Sequence, residues 1–203
     1  MKQTFGTTEK QKSAEKDYAK MLKTTDNGLS SALNGINDIY QYHPTAIIDN
    51  ALVGDGTKIW QWTHICDGAS IGKYCTIGQN VYIGPKVRIG NNCKIQNNVF
   101  IPEGVKIESD VFIGPSVTFT NVKNPRAVIS RKDDFKSTVV GLGASIGAGS
   151  TVLCDVVIGQ YTMIGAGSVV TKNISDFEVA FGNPAVVVGT IGMDGGNIRY
   201  FEI

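Results

Sequence analysis

Between residues 47 and 119 one position in every six carries a large apolar side chain, and no other feature constrains the chain so tightly. The series runs Ile47, Val53, Ile59, Ile65, Ile71, Ile77, Ile83, Ile89, Ile95, Ile101, Ile107, Ile113 and Phe119. Four places after most of these stands a smaller residue: Ala51, Ala69, Cys75, Val81, Val87, Cys93, Val99, Val105, Val111 or Val117. A period of six fits neither the 3.6 of an amphipathic helix nor the alternation of an ordinary strand. It marks an all-β solenoid of hexapeptide repeats, each supplying one short strand and one turn. Three repeats close a triangular coil, and coils stack at the inter-strand spacing of about 4.8 Å. The large residues then fill the prism from inside. Asn80, Asn92, Asn98, Gly104 and Asp110 fall where the chain must bend, and are residue types that tolerate positive φ.

Residues 1–42 lack this period. Within them, residues 9–23 place Ala14, Tyr18, Met21 and Leu22 on one helical face, with a stop at Asn27-Gly28. A second helical pattern brings together Leu29, Ala32, Leu33 and Ile36. This N-terminal extension is read as a partly helical cap over the first coil or as a polar arm, since an open solenoid end exposes apolar side chains and strand edges. The prism is expected over residues 43–192, with 193–203 as a tail. Residues 120–139 break the register, and the pattern resumes at Val140, Ile146, Val152, Ile158, Ile164 and Val170. The step from Phe119 to Val140 is not a multiple of six, so an inserted loop is expected there. Long loops inside compact repeats usually serve a function.

A formal charge of +1 over 203 residues gives no overall bias toward nucleic acid or an acidic partner. The four cysteines form no C-x-x-C pair, and Cys75 and Cys93 fall on small inward positions of adjacent coils, as apolar fillers. The start of the chain has no apolar leader, and no apolar run is long enough to span a membrane, so a cytoplasmic location with reduced thiols is expected. With only two histidines, a three-imidazole zinc site is unavailable and no metal is expected.

Gln61, Gln79 and Asn97 recur at one coil length and should line one outer edge. An amide offers donor and acceptor together, so such a ladder can hold a neutral amine and direct its lone pair; it can equally be a polar ladder that stabilises the corner. His64, in the segment IWQWTHIC, shares its coil position with Tyr82 and Phe100, which predicts an aromatic column on the prism surface. His64 is a candidate proton acceptor or hydroxyl partner, or a packed surface histidine. Ala148 and Ala166 also recur at one coil length: either small turn residues, or positions that let an extended ligand chain approach the backbone. Arg126 and Lys172 are candidate phosphate partners.

The hexad array, the interrupting loop and Gly182-Asn183-Pro184-Ala185 together resemble the left-handed β-helix acyltransferases. Within that superfamily, IGQNV (77–81), KIQNNV (94–99), FIGPSVTFTNVKNPRA (112–127) and GASIGAGSTV (143–152) resemble the nucleotide-sugar N-acetyltransferases. The similarity is greatest to those acting on UDP-2-acetamido-3-amino-2,3-dideoxyglucuronate. The resemblance implies a left-handed coil, acetyl-coenzyme A as cosubstrate, a homotrimer with sites between subunits, and a role in bacterial surface polysaccharide or glycan synthesis. It adds weight to Asn97 of the amide ladder, and the candidate catalytic residues are Asn97, Gln79 and His64. It places coenzyme A along a groove between subunits with the GNPA segment near its far end, so candidate cofactor contacts are Ala148, Ala166, Lys172 and Pro184, and candidate substrate contacts are Asn121, Arg126, Tyr82 and Phe100. Alternatives are a dTDP-3-amino-3,6-dideoxyhexose acceptor, O-acetylation of a hydroxyl, and a non-catalytic β-helix scaffold. O-acetylation needs a real base, and the scarcity of histidine counts against it; the loop and the GNPA segment count against the scaffold.

Overall fold

The computed structural model describes residues 40–202, so the helical expectations for residues 9–36 lie outside the described residues. From residue 40 onward the chain is a parallel β-solenoid of about eight turns, built almost wholly from two-residue strands in three sheets. The first face runs from Gln41–Tyr42 to Glu178–Gly182, the second from Ile47–Ile48 to Val169–Val170, and the third from Leu52–Val53 to Val157–Ile158. Strands also lie outside residues 43–192, with Gln41–Tyr42 pairing parallel to Lys58–Ile59 in the first face and Arg199–Tyr200 pairing antiparallel at the other end. Each strand pairs with its counterpart one coil away, as in Ile59 with Ile77, Ile77 with Ile95, and Ile95 with Ile113.

The large apolar column from Ile59 to Val170 is buried throughout. The smaller inward positions carry a feature that periodicity does not reveal. Thr57 and Thr63 occupy two of them, fully buried, and each hydroxyl donates to a carbonyl of the next coil, Gly72 at 2.8 Å and Gly78 at 2.6 Å. Cys75 and Cys93 stand in the same column as Thr57, and their thiols donate in the same way to the Gly90 and Glu108 carbonyls, both at 3.1 Å. The expected fillers therefore also satisfy backbone acceptors that would otherwise be buried without a partner. At the bends, Asn80, Asn92, Asn98, Gly104 and Asp110 all have positive φ, as do Trp62, Tyr74 and Lys86.

One register assignment is corrected. Ile47, expected inside, is 54% exposed; it is Ile48 that packs on the core and pairs with Ile65, while Ile47 pairs with His64 on the outside. The cause is a short corner. Ile48 and Val53 are five residues apart where the ordinary step is six, and Asn50, at φ 43°, makes the bend. A one-residue slip moves a strand residue to the opposite side.

The inserted loop leaves the prism at a single corner, between Thr118–Phe119 on the second face and Thr138–Val140 on the third. Its ends are clamped, because Lys136 donates its N–H to the Asn121 carbonyl at 2.8 Å and Asn121 Nδ2 donates to the Glu103 carbonyl at 3.2 Å. After the last coil the chain folds back. Glu178–Gly182 pairs antiparallel with Ala185–Thr190, which pairs in turn with Arg199–Tyr200.

Candidate functional site

Two residues after each inward residue of the first face, the chain turns the corner toward the second. That position is held successively by Gln61, Gln79, Asn97, Pro115, Ala148 and Ala166. The amide ladder and the alanine pair, which sequence spacing treats separately, are thus one edge of the prism. A backbone ladder runs along it: Asn80 N–H to Gln61 carbonyl, Asn98 to Gln79, Ser116 to Asn97, Gly149 to Pro115 and Gly167 to Ala148, at 2.8–2.9 Å. The loop insertion lies at another corner, which is why Pro115 and Ala148 remain in register across a long gap in sequence.

The two halves of this edge differ in chemistry. In the first half the amides bond to one another and to the backbone. Gln79 Nε2 donates to Gln61 Oε1 at 2.9 Å, and Asn97 Oδ1 accepts the Gln79 backbone N–H at 2.9 Å. Gly78 permits that approach, since a Cβ there would stand 2.5 Å from Asn97 Oδ1. The corner-stabilising reading of the ladder therefore holds for these contacts. Asn97 is exposed and keeps its amide NH₂ and one oxygen lone pair for other partners.

In the second half the side chains fall away. Ala148 and Ala166 are exposed, and a Cβ added at Gly149 or Gly167 would meet nothing within 4 Å. At other corners a side chain of the next coil caps the exposed N–H, as Asn91 Oδ1 does for Lys73 and Asp176 Oδ1 for Gln160, both at 2.8 Å. Alanine has no such oxygen, and the N–H groups of Ala148 and Ala166 have no partner among the described residues. The result is an open strip with free backbone donors.

Beside the amides, on the outer side of the second face, stands the expected aromatic column. The Tyr82 and Phe100 rings stack at 4.9 Å, and His64 meets Tyr82 edge-on at 5.8 Å. Hydrogen bonding to Cys66, with burial second, pushes the Tyr82 phenol up to about 12, so it stays protonated at neutral pH. His64 Nε2 lies 2.7 Å from Asp49 Oδ2, with Cys66 Sγ 3.8 Å from the same nitrogen. Asp49 escaped the sequence reading because it sits in the shortened first coil. The spacing Ala46-x-Ile48 and Ala51-x-Val53, small then large, is the signal that would have corrected the register and found it.

The remaining expected residues lie elsewhere. Asn121 and Lys172 occupy the corner between the second and third faces, flanking a cavity of about 140 Å³ lined by Thr120, Val122, Lys123, Cys154 and Thr171 among others. Asn121 uses its side chain to hold the loop base. Arg126 is exposed in the loop and donates to the Pro125 carbonyl at 2.9 Å. Pro184 is exposed in the turn of the C-terminal hairpin. Among the described residues no group of three or more His, Cys, Asp or Glu side chains is arranged to hold a metal ion.

The family profile described as Bacterial transferase hexapeptide (six repeats) matches residues 50–85, 86–121 and 137–172, more than half of the chain. A dTDP-3-amino-3,6-dideoxy-α-D-galactopyranose 3-N-acetyltransferase of Aneurinibacillus thermoaerophilus is 41% identical over 70 residues, 34% of this chain and 36% of that protein. A galactoside O-acetyltransferase of Lactococcus lactis is 38% identical over 89 residues, 39% of this chain and 43% of that protein. Among solved structures, a histidine-to-alanine variant of the GDP-perosamine N-acetyltransferase of Caulobacter crescentus, in complex with coenzyme A and GDP-perosamine, shares the fold. Its TM-score is 0.51 at 19% identity, covering 87% of this chain and 65% of that one. The matches span less than half the length of the two curated relatives and just under two thirds of the perosamine enzyme.

Proposed function

This chain belongs to the bacterial transferase hexapeptide family, and from that premise we propose that it moves the acetyl group of acetyl-coenzyme A onto the amine of a nucleotide-linked amino sugar. The observation that carries the proposal is the single edge on which Asn97 is followed by the bare positions Ala148 and Ala166. Between Asn97 and Ala166 lie three coil steps, about 14 Å at ordinary inter-strand spacing. An extended pantetheine arm lies along such a strip, bonding the free N–H groups and bringing its thioester toward Asn97. Relatives with nucleotide-sugar acceptors support the reading: one is named for a dTDP-linked amine, and the Caulobacter structure holds coenzyme A and GDP-perosamine.

In the reaction the neutral amine attacks the thioester carbon, an oxyanion forms, and coenzyme A leaves as a thiolate that takes the amine proton. The protein then supplies alignment and donors rather than a strong base. Asn97 orients the amine through its remaining lone pair and NH₂ group, with Gln79 holding Asn97 in place. Tyr82 and Phe100 give the sugar nucleotide an aromatic wall. Arg126 and Lys172 meet phosphates, Pro184 borders the far end of the cofactor, and Asn121 acts by keeping the loop closed. The acceptor we favour is UDP-2-acetamido-3-amino-2,3-dideoxyglucuronate, on the strength of the IGQNV, KIQNNV and FTNVKNPRA segments; a dTDP-3-amino-3,6-dideoxyhexose is the second choice.

A single convex edge encloses neither ligand, so the proposal includes a homotrimer whose grooves are each walled by two copies. The outer row of the second face, from Ile47 through His64, Tyr82 and Phe100 to Val169, carries no lysine, arginine or carboxylate. The first face has Lys58 and Lys94, and the third has Arg88 and Lys106. An uncharged row suits burial between copies. Because both substrates are cytoplasmic metabolites, the reaction belongs in the cytoplasm. The test is a mass-spectrometric screen of UDP- and dTDP-linked amino sugars with acetyl-coenzyme A. Acetyl gain on one amine class supports the proposal, and no gain on any of them refutes it.

A further inference from the structure

Both tryptophans of the chain stand on the amide edge, one on each side of Gln61. Trp60 is 48% exposed and Trp62 65%, and neither indole pairs with another ring among the described residues. The fold asks for neither of them. In the next three coils the place of Trp60 is taken by Gly78, Gln96 and Gly114, and that of Trp62 by Asn80, Asn98 and Ser116. Trp62 has φ 57°, a left-handed conformation that asparagine adopts readily and a bulky residue does not. Its backbone N–H donates to Thr45 Oγ1 at 3.1 Å, which ties the corner in that form. Strain kept under a side chain that packs on so little is a mark of a binding site. Gln61 lies between the two rings. Its Oε1 accepts Gln79 Nε2 at 2.9 Å, while its own NH₂ group and backbone N–H have no partner among the described residues. Two indoles around a pair of free donors fit a flat ring that carries carbonyls.

We propose that Trp60, Gln61 and Trp62 form the base subsite of the acceptor, taking a nucleobase with ring carbonyls such as uracil or thymine; the inference rests on the nucleotide-sugar reading above. Direction follows from the edge itself. The bare strip at Ala148 and Ala166 runs one way from Asn97 and is given to the cofactor, so the nucleotide end of the acceptor takes the other way. Gln61 is two coil steps from Asn97, about 10 Å at ordinary inter-strand spacing. A ribose and a diphosphate bridge that gap between the base and the reacting amine. The indoles stack on the base, and Gln61 donates to a ring carbonyl. The exocyclic amine of cytosine or adenine would instead bring a donor against those donors.

Because the chain has no other tryptophan, its indole emission reports on this subsite alone. The full chain is titrated with UDP, dTDP, CDP, ADP and acetyl-coenzyme A, each by itself. UDP and dTDP should change the emission saturably, with Kd at least about fivefold below those of CDP and ADP, and acetyl-coenzyme A should leave it unchanged. Trp60→Ala and Trp62→Ala should each raise KM for the nucleotide amino sugar roughly five- to a hundredfold, with kcat held within about twofold because the base lies away from the reacting atoms. Trp62→Asn separates binding from packing. It should melt no lower than the parent, since asparagine fills that corner in the next two coils, and still lose nucleotide affinity as Trp62→Ala does, while Trp62→Phe keeps part of it. Emission unmoved by UDP and dTDP, a response to acetyl-coenzyme A alone, or a Trp62→Asn protein that sediments as a smaller species than the parent would each overturn the proposal. Amide formation with unmoved emission would leave the transfer reading standing without this one. A saturable UDP or dTDP response with no acetyl gain on any amine would do the reverse.

Discussion

The side-chain oxygen of Asn97 accepts the backbone N–H of Gln79 at 2.9 Å, one coil away, so this residue braces the corner at the point where the proposed amine must be aligned. Bracing and alignment separate in two substitutions. Asn97→Asp keeps the oxygen and should melt like the parent, while Asn97→Ala should lose about 0.5–1.5 kcal/mol with the hydrogen bond. Both remove the NH₂ donor and should reduce kcat/KM for the amine by roughly 10². Melting curves with steady-state kinetics check the pair, and full activity in Asn97→Asp would mean that Asn97 is structural alone.

The bare strip at Ala148 and Ala166 invites obstruction. Ala148→Tyr adds a ring at an exposed position, so the melting temperature should not move, but KM for acetyl-coenzyme A should rise at least about tenfold, near 1.4 kcal/mol. Ala148→Ser is the control and should bind nearly as the parent does. An unaltered KM in Ala148→Tyr would place the cofactor elsewhere.

Ile47 and Ile48 test the corrected register. Ile48→Asp puts a carboxylate against the core and should cost roughly 2–4 kcal/mol. Ile47→Asp, on the solvent side, should stay within about 0.5 kcal/mol. Denaturant titration distinguishes them, and equal losses would contradict the short corner at Asn50.

Much of the fold is legible in the sequence because a six-residue period has a single structural solution, and the inward residues from Ile59 to Val170 all fall on it. What is illegible is any local departure from the period. Adjacent isoleucines at 47 and 48 satisfy an apolar count equally well, so the slip went unseen and Asp49 with it. The site is legible column by column, since Gln61, Gln79 and Asn97 keep one spacing and Ala148 and Ala166 the same one. That both belong to one edge is hidden by the loop, whose length is unrelated to the period. Only strand pairing, Phe112 with Ser145, joins them. Hydrogen-bond donors at Thr57 and Thr63 are hidden for a related reason: an apolar period does not register a hydroxyl, which fills the same space while it faces a carbonyl.

Tyr82 offers a pH test independent of catalysis. Its phenol is raised to about 12, chiefly by the hydrogen bond to Cys66, so the folded protein holds that proton more tightly than the unfolded chain does. Stability from this group is therefore complete below the ordinary phenol value of about 10 and is lost as pH rises through about 12. Absorbance titration should show one tyrosine ionising after the others, and Tyr82→Phe should remove that late step. A titration in which Tyr82→Phe removes an ordinary step would contradict the Cys66 contact.

The most direct measurement of the central claim follows the acetyl carbon itself. Acetyl-coenzyme A labelled with ¹³C at the carbonyl is mixed with a ¹⁵N-labelled UDP- or dTDP-linked 3-amino sugar and the full chain, and the product is observed by NMR. The account predicts a carbonyl resonance split by one-bond coupling to the sugar nitrogen, growing as the thioester signal disappears. A label that stays on coenzyme A, or emerges only as free acetate, would contradict it.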